Sequence, residues 1–172
     1  MYLQKGSFGK PIATYTRFKL LEDSTKPCNV DAVIYSGRPV TLNADGEVVP
    51  VTANKTVYGL AKSNKNQYID EVFDPRGMYG SGKIAVVVLG IVDVYHNIYT
   101  LQDGTEVKID NFDTAQTYNV MDPLYVELTN EEKIGIITNV TDENNDKTFL
   151  GYVLEVGANK EFLQILLCKP TA

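Results

Sequence analysis

Gly80-Ser-Gly-Lys-Ile-Ala-Val-Val-Val-Leu-Gly-Ile-Val-Asp-Val-Tyr95 is the stretch whose reading decides the fold class. From Ile84 to Leu89 every side chain is apolar and most are β-branched, which suits a pleated surface better than a helix. A run this short, bounded by Gly82 and Gly90, predicts a strand covered on both faces. Beyond Gly90 the pattern becomes alternation. Ile91, Asp93 and Tyr95 point one way, and Val92 and Val94 the other. Gly90 then marks a bulge or bend in one continuous strand. Nothing in the stretch is chemically reactive, so it reads as architecture.

Outward from it, other period-2 runs follow. Thr14–Leu21, Val30–Tyr35, Thr56–Ala61, Leu124–Leu128, Lys133–Val140, Thr148–Val156 and Phe162–Leu167 are strand-like. Glu22–Asn29, with Pro27, reads as a loop. Asp45-Gly46 lies between the alternating runs of Pro39–Val51, and both residues tolerate the positive φ of a two-residue hairpin turn. That turn predicts Leu42 opposite Val49 and Val40 opposite Val51. Asp103-Gly104 predicts a second hairpin within Ile98–Ile109. Asn111–Asn119 is the only candidate helix; it lacks an amphipathic repeat and reads as a loop. The expected fold is all-β, a compact β-barrel or β-sandwich over residues 14–172, preceded by a glycine-punctuated extended arm over residues 1–13.

The second half echoes the first. Val126-Glu-Leu128 lies 86 positions after Val40-Thr-Leu42. Leu150-Gly-Tyr-Val153 answers Tyr58-Gly-Leu-Ala61, and Phe162–Leu167 answers Ile84–Leu89. This predicts two related β units, residues 37–95 and 121–167, sharing one core. The tight Gly157-Ala-Asn159 turn of the second copy corresponds to a long polar excursion, Lys62–Gly82, in the first. A loop of that length in a compact domain is functional or disordered.

Composition narrows the function classes. Sixteen Lys and Arg against 22 Asp and Glu give a formal net charge of −6. Such a surface excludes general phosphate-backbone binding, so no nucleic-acid partner is expected. No apolar run is long enough for a bilayer, and Met1-Tyr-Leu-Gln-Lys-Gly6 lacks a signal pattern, so a soluble chain made in the cytoplasm and no membrane partner are expected. Cys28 and Cys168, far apart in such a chain, are expected as free thiols. Tyr dominates the aromatics, 11 against 6 Phe and no Trp.

Sites of chemistry are sparse. Asp142, Asn144 and Asp146 alternate as in a calcium loop, but Lys147 stands where the EF-hand glycine belongs and Val153 where the bidentate Glu belongs. They read as a polar turn. His96, the only histidine, has no partner in sequence for a triad or zinc site and reads as a strand-end residue. Gly77-Met-Tyr-Gly-Ser-Gly-Lys83 lacks Walker spacing and leads into a strand. Asn54-Lys-Thr56 and Asn139-Val-Thr141 match glycosylation sequons only by pattern. The Asp70-Glu71, Asp74, Arg76 cluster reads equally as a solvated loop or a docking surface. No enzyme, cofactor or metal is expected.

Two successions of residues bear a resemblance. Gly37-Arg-Pro-Val40, Asp45-Gly46-Glu-Val48 and Val57-Tyr-Gly-Leu-Ala61 form the first. Met121-Asp-Pro-Leu-Tyr-Val126, Leu150-Gly-Tyr-Val153 and Phe162-Leu-Gln-Ile165 form the second. Together the pattern resembles the small β-rich decoration, or auxiliary head, proteins of tailed bacteriophages. The resemblance implies a structural virion protein on the capsid exterior, often trimeric, without enzymatic activity, whose partner is the major capsid protein. The contact candidates are Tyr2, Leu3, Phe8 and Ile12 of the arm, together with Phe73, Arg76 and Tyr79 of the excursion. The arm carries more apolar surface than a free tail should show, as a segment that orders on binding does. The rival expectation is a β-sandwich binding module of a fibre or tail, recognising carbohydrate or a host surface; the lack of Trp weighs against it.

Overall fold

A computed structural model describes residues 13–14, 21–23, 25–29, 31–53, 55–62, 82–100, 106–141 and 148–168. The strands are β1 (Ala13–Thr14), β2 (Leu21–Asp23), β3 (Pro39–Leu42), β4 (Val48–Pro50), β5 (Gly59–Ala61), β6 (Val86–Tyr95), β7 (Asn97–Thr100), β8 (Glu106–Ile109), β9 (Pro123–Val126), β10 (Ile137–Thr138), β11 (Thr148–Val156) and β12 (Phe162–Leu167). Among the described residues the only helical element is a single 3₁₀ turn, Ala158–Lys160, within which Asn159 has a left-handed φ of 51°. The molecule is all-β, as its periodicity predicts. Ten strands form one curled antiparallel sheet, with β7 and β8 a separate hairpin.

The sheet turns on β6. Val86 and Val87 pair with both β5 and β2, and Val92 and Asp93 pair with both β12 and β1. A residue has only two edges, so each half of β6 is hydrogen-bonded on both sides. The two halves meet at Gly90, whose φ of 126° is open mainly to glycine. The pairing with β2 slips between Leu21 and Glu22 beside it. Val86 and Val87 are both fully buried and point into different cores. Val86 joins Cys28, Ile34, Val40, Val48, Ala61 and Ile84. Val87 joins Val92 and Val94 in a larger core with Leu124, Leu150, Leu163 and Ile165. Coverage on both faces stops earlier than the apolar run does, because Leu89 is exposed.

The strand order, β10-β9-β11-β12-β6-β5-β3-β4, reads alike from either end: a hairpin, a strand paired to its first arm, then a long strand. Val40 pairs with Gly59 as Leu124 pairs with Gly151, and Pro39 with Leu60 as Pro123 with Tyr152. A Cβ on Gly59 would meet the Val87 carbonyl oxygen at 2.4 Å, and one on Gly151 the Leu166 carbonyl oxygen at 1.9 Å. Each glycine therefore lets its strand lie tight against its neighbour. Both ends of the sheet are closed by a parallel bridge, Cys28 to Val48 and Phe112 to Ile137. Phe112 lies 84 positions after Cys28, as Pro123 does after Pro39. Closed ends remove the template that an open edge offers to other chains.

Several expected elements are shifted. The β3–β4 hairpin pairs Leu42 with Val48 and Val40 with Pro50, one residue off the predicted register. Asn43 is the cause. Its Oδ1 accepts the amides of Asp45 and Glu47, and its carbonyl accepts Gly46 N–H at 3.1 Å. That makes a type I turn ended by Gly46 at φ 78°, a three-residue loop instead of a two-residue one. In the expected strand Val30–Tyr35, the described residues 31–35 make only a single bridge, at Ile34, and no strand. Asn29 Oδ1 accepts the Asp31 amide and the Ala32 amide returns to the Asn29 carbonyl, so the chain turns. Ile34 then plugs the smaller core. Glu22 and Asp23, expected in a loop, belong to β2. Of Lys133–Val140 only β10 is strand, since Gly135 at φ 78° follows a turn closed by Lys133 N–H on the Asn130 carbonyl. Thr14–Leu21 contributes its two ends, residues 15–20 lying outside the described residues. The second hairpin stands, with Ile98 opposite Lys108, while Asp103-Gly104 lies outside the described residues.

Candidate functional site

The polar groups that the structure draws together lie where the β7–β8 hairpin meets the body. The chain reaches that point through Tyr35-Ser-Gly-Arg38. Gly37 takes φ 83° and has no room for a side chain, because a Cβ would stand 2.5 Å from Asn111 Nδ2. This turn throws the Arg38 side chain across the molecule. Nη1 donates to the Asp110 carbonyl at 2.8 Å and Nη2 to the Ile134 carbonyl at 2.9 Å. Burial is the largest influence on the guanidinium and lowers its pKa, yet an arginine stays charged in a protein. Among the described residues no carboxylate forms an ion pair with it.

Arg38 forms part of the wall of a cleft of about 120 Å³, lined also by Val33, Tyr35, Pro39, Pro50 and Ile134. Gly135 closes one side. A Cβ there would sit 3.3 Å from Val51 Cγ1 and 3.5 Å from Arg38 Nη2.

Behind Arg38 is Asn111, fully buried. Its Nδ2 donates to the Ser36 carbonyl at 2.7 Å and the Tyr95 carbonyl at 2.6 Å. Its amide donates to His96 Nδ1 at 3.3 Å. His96 is not the exposed strand-end residue its position suggests, for its side chain is 9% exposed. It faces Asp110 across the hairpin root, with Nδ1 3.1 Å from Asp110 Oδ1, which Lys108 Nζ also approaches at 2.8 Å. The imidazole lies against the Phe112 ring, centroids 4.0 Å apart. Burial depresses its pKa most; Asp110 opposes that and Lys108 adds to it. A neutral ring accepting at Nδ1 carries its proton on Nε2. Among the described residues no hydroxyl or thiol hydrogen-bonds to His96. His96, Asp110, Lys108 and Asn111 thus meet at the root of the hairpin and brace it.

The contact candidates Tyr2, Leu3, Phe8, Ile12, Phe73, Arg76 and Tyr79 lie outside the described residues. So do the Asp142–Asp146 turn and the Asp70–Arg76 cluster. Of the glycine-rich approach, Gly82 and Lys83 are described; both are exposed and lead into β6. Asn139 spends its side-chain amide on the Thr117 carbonyl and Asp122. Neither Cys28 nor Cys168 is in a disulfide. Among the described residues no group of three His, Cys, Asp or Glu could hold a metal ion, and no helix is long and apolar enough to cross a membrane. Sequence reasoning missed the role of Arg38. Its one local signal is an arginine between a turn glycine and a strand-opening proline.

No protein-family description matches the chain, and no curated protein matches it. Among solved structures it is similar to a chain of the capsid of Myoviridae phage XM1. The TM-score is 0.58 at 16% identity, over 95% of this chain and 93% of that one. At that identity the likeness is one of fold.

Proposed function

We propose that this chain is a structural protein of a tailed-phage head that binds the outer surface of the capsid, through the major capsid protein, and stabilises it. The observation that carries the reading is the fold shared, over nearly the whole of both chains, with a chain of a phage capsid. The character of the described residues supports it: two apolar cores and closed sheet ends. The protein acts by binding and has no catalytic role. Its organisation is two related β units that share the larger of the two cores, a reading supported by the matching strand order and by Gly59 and Gly151 at matching places.

An adhesive fibre module would present flat aromatic faces. Tyr125, Phe149 and Tyr152 do line one face of β9 and β11, but they pack edge-to-face, at interplanar angles of 73° and 68°. Rings so arranged satisfy one another and offer no stacking platform for a sugar.

Sedimentation of intact virions tests the reading. The protein should travel with the particle at a fixed ratio to the major capsid protein and leave it before the shell dissociates. A chain absent from purified virions, or present only with detached tail fibres, overturns the proposal.

A further inference from the structure

We infer that the Arg38 cleft is a socket for a carboxylate side chain, an Asp or Glu flanked by apolar residues on a partner polypeptide. A guanidinium has five N–H donors, and two of them reach carbonyl oxygens here. Carbonyls satisfy hydrogen bonds without cancelling the charge, and buried charges in folded proteins are as a rule paired. Asp110 acts on the guanidinium through its charge but forms no ion pair with it, because its Oδ1 is turned to Lys108 and His96 and its hydrogen bond to Arg38 comes from the main-chain oxygen. The cation is thus held by the fold with no carboxylate in an ion pair with it among the described residues. Its planar fork matches a carboxylate better than any other common anionic group of a protein.

The walls and the size select the occupant. Val33, Pro39, Pro50 and Ile134 offer apolar surface around the cation. At about 120 Å³ the cleft is well below the roughly 300 Å³ at which small-molecule and cofactor sites begin. It accommodates one side chain. A net charge of −6 disfavours polyanions such as nucleic acid, while a single carboxylate beside apolar groups meets both the charge and the walls. The inference needs no assumption about the capsid, since it rests on the charge and shape of the cleft.

The test uses the full chain, isotope-labelled, titrated with acetyl-Leu-Glu-Leu-amide and, separately, with acetyl-Leu-Gln-Leu-amide. The Glu peptide should move the Arg38 Nε–H and the Ile134 and Gly135 amide signals saturably, and the Gln peptide should bind at least tenfold more weakly. Arg38→Gln removes the cation but also two long-range hydrogen bonds and could unfold the chain. Val33→Trp, at the partly exposed rim, keeps Arg38 and its carbonyl bonds, and should abolish the response in a folded protein. Equal response to both peptides, shifts confined to surface lysines, or an unchanged response in Val33→Trp would each overturn the proposal. Propionate binding as tightly as the Glu peptide would overturn the partner-polypeptide assignment.

Discussion

Asp93 stands opposite Gln164 in the β6–β12 pair and is 7% exposed. Gln164 Nε2 donates to its Oδ1 at 3.0 Å. Burial is the largest effect on the carboxyl and raises its pKa, the Gln164 bond opposes this, and Glu155 reinforces it. The sign follows by linkage. A raised folded pKa means that the native state holds the proton more tightly than the unfolded chain. Stability is therefore lost as pH rises from the unfolded value through the folded one. At neutral pH the ionised Asp93 is a cost that an amide would not carry, and Asn still accepts from Gln164. Asp93→Asn should raise the urea midpoint at pH 7, and the gain should vanish below about pH 4, where the unfolded carboxyl is also protonated. A variant less stable than the parent at pH 7 would show that the charge itself is needed. His96 has the opposite dependence. Burial lowers its pKa, so its contribution is complete at high pH and is lost as pH falls below the ordinary imidazole value, about 6.5.

The β7–β8 hairpin depends on its root, since a two-stranded hairpin alone is marginal in water. Asn111 supplies that root by bonding Ser36 and Tyr95 across it. Asn111→Ala would remove two hydrogen bonds from a buried side chain to main-chain carbonyls, a loss of about 2 kcal/mol. Beyond the global loss, amide exchange should quicken across Asn97–Ile109 while β11 and β12 keep their relative protection. Uniform acceleration through the whole sheet would mean that the hairpin has no stability of its own to lose. The elements differ in how far local sequence announces them. The first half of β6 is legible as a short β-branched apolar run between glycines, and its second half, β11 and β12 as alternating runs. The β3–β4 register is not, because Asn43 diverts two amides to its own side chain. Residues 31–35 look like a strand and turn instead, again through an asparagine side chain. The Arg38 cleft is illegible for a different reason. The carbonyls that hold the guanidinium come from residues 72 and 96 positions away, and no local pattern encodes such a meeting.

At the scale of the whole molecule the open matter is assembly. For the decoration role we propose a trimer that reaches the shell through its N-terminal arm and the Lys62–Gly82 excursion. Where the arm leaves the body bears on how to test this. β1 and β2 are ladder strands on β6, and β2 is fastened by Glu22 to Lys62 at 2.5 Å and by Asp23 to Tyr58. The Asp23 carboxyl, hydrogen-bonded by Thr25 and then by Tyr58, is held down at about 2, so the fastening persists through ordinary working pH. Removing Met1–Lys10 stops short of Ala13 and spares every one of these contacts. The truncated chain should keep its circular dichroism spectrum and melting temperature. It loses Tyr2, Leu3 and Phe8, three of the four arm side chains proposed to bury themselves against the shell. Weak identical contacts repeated over a lattice add by avidity, so a modest loss per subunit becomes a large loss of occupancy. Closed cyclic symmetry is the usual state of such subunits, and three arms per trimer would multiply the effect. Occupancy on expanded capsids should therefore fall at least tenfold, read by quantitative gel of sedimented particles. Light scattering should give three times the chain mass for the full-length protein. Unchanged occupancy would remove the arm from the interface, and a monomer both in solution and on the particle would remove the trimer.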